Sequence, residues 1–279
     1  MGSCLSPENQ MHLGQRNFRR LAMTAVAICG FFVFWARAAE ADQVTFEPGM
    51  PPRPLTTFDS AKAVARDAIY ADRRIDIYCG CDWAPKANRS GGTIDAAGCG
   101  YVARKNAKRG EQLEWEHALP AWFFGHDRIC WKKGNARCVT AAGKAYKGRT
   151  CCAKVDDDFR RIEADLHNLF PAVGEINGDR SNLPFGRVAG EPRAYGRCDF
   201  EINRNARRKD RVAEPPDGMR GDLARAALYM TDTYAVPLET AFRTLLQGWH
   251  RDDPPDDWER LRDARIEAAQ GNRNPYVAR

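Results

Sequence analysis

The chain has 279 residues, and 43% of them are hydrophobic, which excludes an intrinsically disordered protein. Charged residues make up 29% of the sequence, and the formal net charge of +6 permits binding to a polyanion without requiring it. The length alone is compatible with one large domain or with two.

The first 41 residues predict a signal peptide. Arg16, Arg19 and Arg20 form a positive region, an uncharged apolar run covers residues 21–35, and alanines follow where a signal peptidase cuts. The run has 15 residues, which is short for a membrane span of ~20 residues. An uncleaved anchor and myristoylation near the start of the chain are the alternatives. Cleavage leaves 39 basic and 35 acidic residues, a net charge of +4, and predicts a periplasmic or secreted protein without stable membrane association.

The cysteines beyond the signal peptide predict disulfide bonds. An even number in an exported chain indicates four bonds, with connectivity left open. These cysteines are Cys79, Cys81, Cys99, Cys130, Cys138, Cys151, Cys152 and Cys198. Because a bond between adjacent cysteines is strained, we expect Cys151 and Cys152 to reach different partners. The alternative is a zinc site, which the spacing and an oxidising compartment both disfavour.

The rest of the chain predicts a proline-rich linker over residues 42–56 and a single domain over residues 57–279. A helix capped by Asp59 or Ser60 opens the domain. The elements expected after it, in chain order, are a disulfide-tied loop at 79–100, a strand at 112–117, a second such loop at 130–152, a helix at 155–169, an irregular region at 176–216 with a short strand near 198–202, and helices at 222–234, 238–249 and 256–269.

Two polar clusters within this frame carry candidate chemistry. Glu116 and His117 stand side by side between Trp115 and Trp122, and Asn168 lies about fifty residues later between apolar residues. A carboxylate, an imidazole that titrates near neutral pH and an amide oxygen are the components of a metal-assisted hydrolase.

The same two clusters carry a family resemblance. Glu-Trp-Glu-His-Ala-Leu-Pro-Ala-Trp and Asp-Leu-His-Asn-Leu-Phe-Pro-Ala-Val-Gly-Glu-Ile-Asn-Gly-Asp-Arg-Ser-Asn resemble the bacterial endonuclease I family, which belongs to the ββα-metal (His-Me finger) superfamily of nucleases. Weaker similarity extends the match from about residue 61 to the end of the chain. The resemblance implies an α+β fold with a ββα-metal core, extra helices and disulfide-stapled loops.

The chemistry and the resemblance assign the same roles to three residues. We expect His117 to be the general base, with its second ring nitrogen bonded to a carbonyl or carboxylate that fixes the tautomer. Glu116 and Asn168 are expected to bind Mg²⁺, or another divalent cation such as Ca²⁺ or Mn²⁺. A structural histidine and an asparagine helix cap are the alternatives. Because adjacent residues on a strand face opposite ways, Glu116 and His117 converge only if the strand bends.

A cation that stabilises the transition state is also expected. The resemblance places an arginine after Cys130 and Trp131, and Arg137 is the candidate, although Ala136 is an alternative for that slot. Arg180 is the alternative cation. The predicted nucleic-acid contacts are Lys132, Lys133 and Arg180, with a wider basic set at Lys144, Lys147, Arg149, Arg204, Arg207, Arg208 and Lys209. For that wider set a solvated surface is the alternative. His126 is expected to be structural or exposed, and His167 to pack or to support the site.

These observations predict an exported, sequence-non-specific endonuclease that acts as a monomer. It hydrolyses DNA, and also RNA, with one divalent ion and leaves 5′-phosphate ends. The alternatives are a secreted nucleic-acid-binding or uptake module without catalysis and a disulfide-stapled adhesion module. A catalytic role is favoured because a module that only binds needs none of Glu116, His117 and Asn168.

Overall fold

The main sheet has four antiparallel strands in the order β1-β2-β3-β4. This computed structural model describes residues 55–87 and 91–277, all of which lie in one unit of the chain. The strands are β1 (Trp83–Pro85), β2 (Gly92–Ile94), β3 (Gln112–His117) and β4 (Leu169–Val173). A separate two-stranded sheet pairs β5 (Glu201–Ile202) with β6 (Ala213–Glu214).

Helices supply most of the remaining regular structure. Those of the described residues are α1 (Phe58–Val64), α2 (Ala96–Cys99), α3 (Ala107–Gly110), α4 (Ala121–Gly125), α5 (Ile129–Lys132), α6 (Arg149–Val155), α7 (Asp157–Glu163), α8 (Gly174–Arg180), α9 (Arg220–Tyr234), α10 (Thr240–Asp252) and α11 (Asp257–Gln270). A π-helical turn, Ala65–Ile69, extends α1, and 3₁₀ turns lie at Leu166–Asn168, Arg208–Asp210 and Asp217–Met219.

One face of β3 is part of the hydrophobic core, and the strand has the predicted bounds. Leu113 and Trp115 are buried there. The Trp115 ring packs 5.7 Å from Tyr70 and 6.1 Å, edge to face, from Trp83. Aromatic pairs of this geometry add to the free energy gained by burying the rings, so they stabilise the packing of β3 against Tyr70 and Trp83.

The other face of β3 lies against α8. Glu114 accepts a hydrogen bond from Asn177 at 3.0 Å, and Glu116 accepts one from Arg180 at 2.6 Å. β3 pairs with β4 along its length, and α8 follows β4 directly. Strand, strand and helix therefore form a ββα unit within an α+β fold, as predicted.

The predicted helix over residues 155–169 is wrong in its second half. Helix α7 ends at Glu163, and a 3₁₀ turn then leads into β4. Asp165 caps that turn by accepting the N–H of His167 at 2.9 Å, so the backbone leaves the helix although the apolar spacing continues. Asn168 therefore lies where the turn meets β4 rather than on a helix.

Other predicted bounds need correction at their caps. Helix α1 begins after Thr57, whose hydroxyl accepts the N–H of Ser60 at 3.1 Å, so neither Asp59 nor Ser60 is the cap. The region 176–216 is not wholly irregular, because α8 continues to Arg180. The three predicted C-terminal helices are confirmed as α9, α10 and α11, each with bounds shifted by one to three residues.

The eight predicted cysteines form four disulfide bonds. The pairs are Cys79–Cys198, Cys81–Cys99, Cys130–Cys152 and Cys138–Cys151. The adjacent cysteines reach different partners, as expected. Two of the bonds close the segment that leads from α5 to α6, and a third ties residue 79 to residue 198, which are 119 positions apart.

The predicted signal peptide and nearly all of the predicted linker lie outside the described residues. No helix within residues 55–87 and 91–277 is long and apolar enough to cross a bilayer.

Candidate active site

His117 ends β3, and its imidazole is fixed by the backbone. The Nε2 atom lies 2.8 Å from the carbonyl oxygen of Glu163. Since a carbonyl only accepts, Nε2 carries the proton and Nδ1 is left with a lone pair, which is the tautomer expected for a base. Burial, followed by the charge of Arg149, lowers the pKa of His117 to about 3. The ring is therefore uncharged at neutral pH.

Glu116 is buried among donors from two other elements. Its Oε1 accepts the Tyr78 hydroxyl at 2.8 Å and an Nη1–H of Arg180 at 2.6 Å. Both hydrogen bonds of this carboxylate in the described structure end on Oε1. Burial raises the pKa of Glu116, while Arg180 and Tyr78 act in the opposite direction by stabilising the charged form.

Arg180 belongs to the framework of the site. Its side chain is fully buried and stacks 4.2 Å above the ring of Phe185. Besides Glu116 it donates to the carbonyl oxygens of His117 and Ala118, both at 2.7 Å. The predicted nucleic-acid contact at Arg180 is corrected here, because a side chain with no exposed surface cannot meet a phosphate. Arg180 instead holds the end of β3 in place.

Asn168 bridges the two strands of the site just beyond β3. Its Oδ1 accepts the N–H of Leu119 at 2.7 Å, and its Nδ2 donates to the carbonyl oxygen of Leu119 at 3.0 Å. The backbone carbonyl of Asn168 accepts the N–H of Ala118 at 3.0 Å, which extends the hydrogen bonding between β3 and β4 by one residue pair. The side chain is therefore oriented by the backbone, and Oδ1 keeps a second lone pair.

The side chains of Glu116 and His117 lie on opposite faces of β3. The partners of Glu116 are Tyr78 and Arg180, whereas the His117 ring lies 4.8 Å from Phe58 and 6.3 Å from Phe124. The end of the strand does not bring the carboxylate and the imidazole into direct contact. This agrees with the expectation that Glu116 and His117 converge only if the strand bends.

A cavity of about 790 Å³ lies close to the end of β3, although Glu116, His117 and Asn168 are not among the described residues that line it. Phe58, which packs on the imidazole, lines it, together with Arg149, Trp122 and Trp131. The guanidinium of Arg149 lies 5.0 Å above the Phe58 ring and donates to Glu163 at 2.5 Å. Phe58 therefore separates the imidazole from the cavity, and Arg149 supplies a positive charge beside both.

Arg137 is not brought to this cavity. Its guanidinium is exposed and donates to the carbonyl oxygen of Lys154 at 3.3 Å. Arg137, which was predicted to be the catalytic cation, therefore does not lie at the cavity, whereas Arg149 lines it. Sequence reasoning had placed Arg149 only in a general basic set, because the disulfides that carry it to His117 have no local signature.

The remaining predicted residues lie around the site. Lys132 and Lys133 are exposed next to Trp131, and Lys132 pairs with Asp127 at 2.5 Å. Neither lysine lines the cavity, so their contact with nucleic acid stays a prediction. His167 is fully buried and contacts the carbonyl oxygen of Asn272 at 3.0 Å, which agrees with a packing role.

Comparison with known proteins adds independent information to this geometry. The Endonuclease I family model matches residues 57–279. The chain belongs to the endonuclease I family. It is 40% identical to an extracellular deoxyribonuclease of Aeromonas hydrophila over 227 residues, which cover 81% of this chain and 91% of that protein.

Two further relatives have similar coverage. A periplasmic deoxyribonuclease of Aeromonas hydrophila is 39% identical over 219 residues, 77% of this chain and 84% of that protein. Endonuclease-1 of Buchnera aphidicola subsp. Acyrthosiphon pisum (strain APS) is 40% identical over 223 residues, 80% of this chain and 81% of that protein. The chain thus spans most of the length of each relative.

Members of the endonuclease I family generally depend on a divalent metal ion. The residues present fit such an ion, because Glu116 offers Oε2 without a hydrogen bond in the described structure and Asn168 offers the second lone pair of Oδ1. Carboxylate and amide oxygens are the ligands that hard divalent cations prefer.

Proposed function

We propose that this chain is an exported, sequence-non-specific endonuclease that hydrolyses phosphodiester bonds of DNA and RNA with one Mg²⁺ ion and leaves 5′-phosphate ends. The observation that carries the proposal is the fixed tautomer of His117, which leaves a lone pair on Nδ1, with Phe58 packed on the imidazole and lining a cavity that Arg149 also lines. The two Aeromonas relatives are an extracellular and a periplasmic deoxyribonuclease, which agrees with the proposed export and with DNA as a substrate.

His117 is the general base in this proposal. Nδ1 takes a proton from the attacking water, and the carbonyl of Glu163 stabilises the imidazolium that results, since Nε2–H donates to it. Phe58 covers the imidazole, so its side chain has to move aside for water and phosphate to reach Nδ1. A neutral ring at every physiological pH means that no proton has to be lost before the reaction begins.

Glu116 and Asn168 hold the divalent ion. When bound, the ion supplies positive charge to the scissile phosphate and to the leaving oxygen. The protein contributes orientation, because Tyr78 and Arg180 fix Glu116 and the backbone of Leu119 fixes Asn168. Such supporting contacts typically change metal affinity 10- to 100-fold when they are removed.

Arg149 faces the phosphate in this arrangement. Its Nε donates to Glu163, which leaves the remaining guanidinium N–H groups for phosphate oxygens. The groups that line the cavity contact phosphate without reading base edges, so cleavage should not depend on base sequence. RNA and DNA share the phosphodiester, and both are therefore expected substrates.

Plasmid nicking and RNA degradation test the proposal directly. Oxidised protein is incubated with each substrate in Mg²⁺ and in EDTA, and the same is done for Glu116→Gln and for Glu111→Gln, a change of an exposed carboxylate just before β3. We expect metal-dependent cutting that Glu116→Gln nearly abolishes and that Glu111→Gln retains. Re-ligation of the nicked DNA reports the 5′-phosphate. A gel shift without cutting under any divalent ion would instead establish a binding module.

A further inference from the structure

A second cavity adjoins the active-site cavity. It has a volume of about 690 Å³, which is within the usual range for ligand pockets of ~300–1,000 Å³. Trp122 and Asn182 line both cavities, whereas Phe123, His126 and Phe242 line only the second. Trp122 therefore stands at the boundary between the catalytic cavity and a neighbouring groove.

The indole of Trp122 is held in place and remains exposed. His126 stacks on it with the ring centroids 3.8 Å apart and the planes 11° from parallel, and Phe123 meets it edge to face at 5.3 Å. Nevertheless, 38% of Trp122 is exposed, which is high for so large an apolar side chain. Because both neighbouring rings belong to the second cavity, a surface of the indole remains available toward the first.

Positive charge lines the second cavity. Arg208, Lys209 and Arg211 lie along it with a single carboxylate, Glu239. Within the described part of the chain, none of these three cations is in an ion pair, and the only side-chain hydrogen bond among them is from Arg211 to the carbonyl oxygen of Ala206. An exposed aromatic ring close to cations that are not held in ion pairs is the combination that binds single-stranded nucleic acid.

We propose that Trp122 and the cations at Arg208, Lys209 and Arg211 form a subsite for an unpaired nucleotide next to the cleaved bond. A nucleobase stacks on the indole, and the phosphates beyond it contact the three cations. The subsite rests on the proposed nuclease function and narrows its substrate. It selects unpaired strands, because the faces of bases inside a duplex are covered by their neighbours.

The substrate strand runs through both cavities in this arrangement. Arg149 holds the phosphate to be cut, and the base on one side of it meets Trp122, which lines the same cavity. Stacking tolerates every base because each base has a π face, so the subsite adds affinity without sequence preference. Cleavage should therefore be more efficient in single-stranded or frayed segments than in uniform duplex.

Binding titrations test the subsite separately from catalysis. A fluorescent single-stranded 12-mer and its duplex are titrated with oxidised His117→Ala protein in EDTA, and anisotropy gives each Kd. We expect Trp122→Ala in this background to raise Kd for the single strand about tenfold, Trp122→Phe to stay within about threefold, and the effect on duplex to be smaller. A 12-mer that lacks its bases should bind as weakly to the parent as the intact strand binds to Trp122→Ala.

The cations are tested in the same titration. Arg208→Ala with Lys209→Ala should weaken binding and flatten its dependence on salt, while Arg251→Ala, an exposed arginine of α10, should change neither. The proposal is overturned if the parent does not bind the single strand, if removing bases costs nothing, or if Trp122→Ala weakens duplex and single strand equally. Since no cutting is required, a chain that binds as expected but never cleaves would contradict only the nuclease function.

Discussion

Replacing Arg180 by methionine should disable the site by loosening its framework. The side chain is fully buried and donates to Glu116 and to the carbonyl oxygens of His117 and Ala118 at 2.6, 2.7 and 2.7 Å. Methionine fills much of the space but donates nothing. Glu116 is then buried without its counterion, and two carbonyl groups lose their donor.

The size of the effect follows from these contacts. Removing one partner of a buried ion pair costs about 3–5 kcal/mol. In a domain of this size each kcal/mol lowers Tm by ~2–4 °C, so a loss of about 6–20 °C is expected. Loss of Arg180 also raises the pKa of Glu116 further, because Arg180 is the strongest of the contacts that lower it. Less of the carboxylate is then charged at neutral pH, and half-saturation by Mg²⁺ should need at least about tenfold more metal.

Thermal melting and a metal titration of cleavage provide the assay. Arg207→Met is the matched control, because that guanidinium is 76% exposed and pairs only with Asp210 in the described structure. The control should melt within about 2 °C of the wild type, as is usual for exposed sites. The melting temperature and Mg²⁺ requirement of Arg180→Lys should lie between those of Arg180→Met and the control, because one ammonium group cannot make all the hydrogen bonds of the planar guanidinium. An Arg180→Met protein with the melting point and metal requirement of the control would refute this explanation of the site.

Three further changes have definite expected outcomes. Tyr78→Phe removes a 2.8 Å donor to Glu116 and should raise the Mg²⁺ requirement about tenfold while lowering Tm by less than Arg180→Met does; an unchanged metal titration would count against the contact. Asp179→Asn should flatten the fall in stability between about pH 4 and pH 2. Burial acts to raise the pKa of Asp179, but donors including Lys105 and Tyr195 prevail and lower it to about 2, below the unfolded value of ~3.9, so its stabilisation is present above pH 4 and lost toward pH 2. Urea unfolding of both proteins at pH 2.5, 4 and 7 gives their free energies of unfolding. The wild type should lose about 1–2 kcal/mol more than Asp179→Asn between pH 4 and pH 2.5, and identical pH profiles of the two proteins would contradict this. Finally, reduction and alkylation should unfold the chain and abolish cleavage, because four bonds are lost; full activity of the reduced protein would show that the disulfides are dispensable.

The apolar spacing of the sequence is sufficient to predict the elements whose structure depends mainly on neighbouring residues. The strand at Gln112–His117 and the C-terminal helices were predictable because their apolar periodicity agrees with their environment. The helix predicted through Asn168 failed because Asp165 redirects the backbone. Pro171 was the available signal, since the residue before a proline avoids helix and a proline in a sheet is found on an edge strand such as β4.

The framework of the site could not be predicted in the same way. Arg180 is 64 residues from Glu116 in sequence, and a polar Gly-Asp-Arg segment is typical of a solvated turn rather than of a buried guanidinium. Arg149 lies over Phe58 at the start of α6, and two disulfides close the segment that leads there from α5, which no local pattern in the sequence indicates. The motif therefore predicts the candidate reactive side chains, while the residues that orient and cover them are apparent only in three dimensions.

The general base is tested most directly by chemical rescue of a variant that lacks the imidazole. His117→Gly leaves a space beneath Phe58, and the single-turnover cleavage rate of a DNA substrate is measured at saturating Mg²⁺ with increasing free imidazole. If His117 removes the proton from water, the variant should lose at least about 100-fold in rate and recover part of it with imidazole, but not with a non-basic analogue of similar size. Cleavage at the wild-type rate without imidazole would show that another residue is the base.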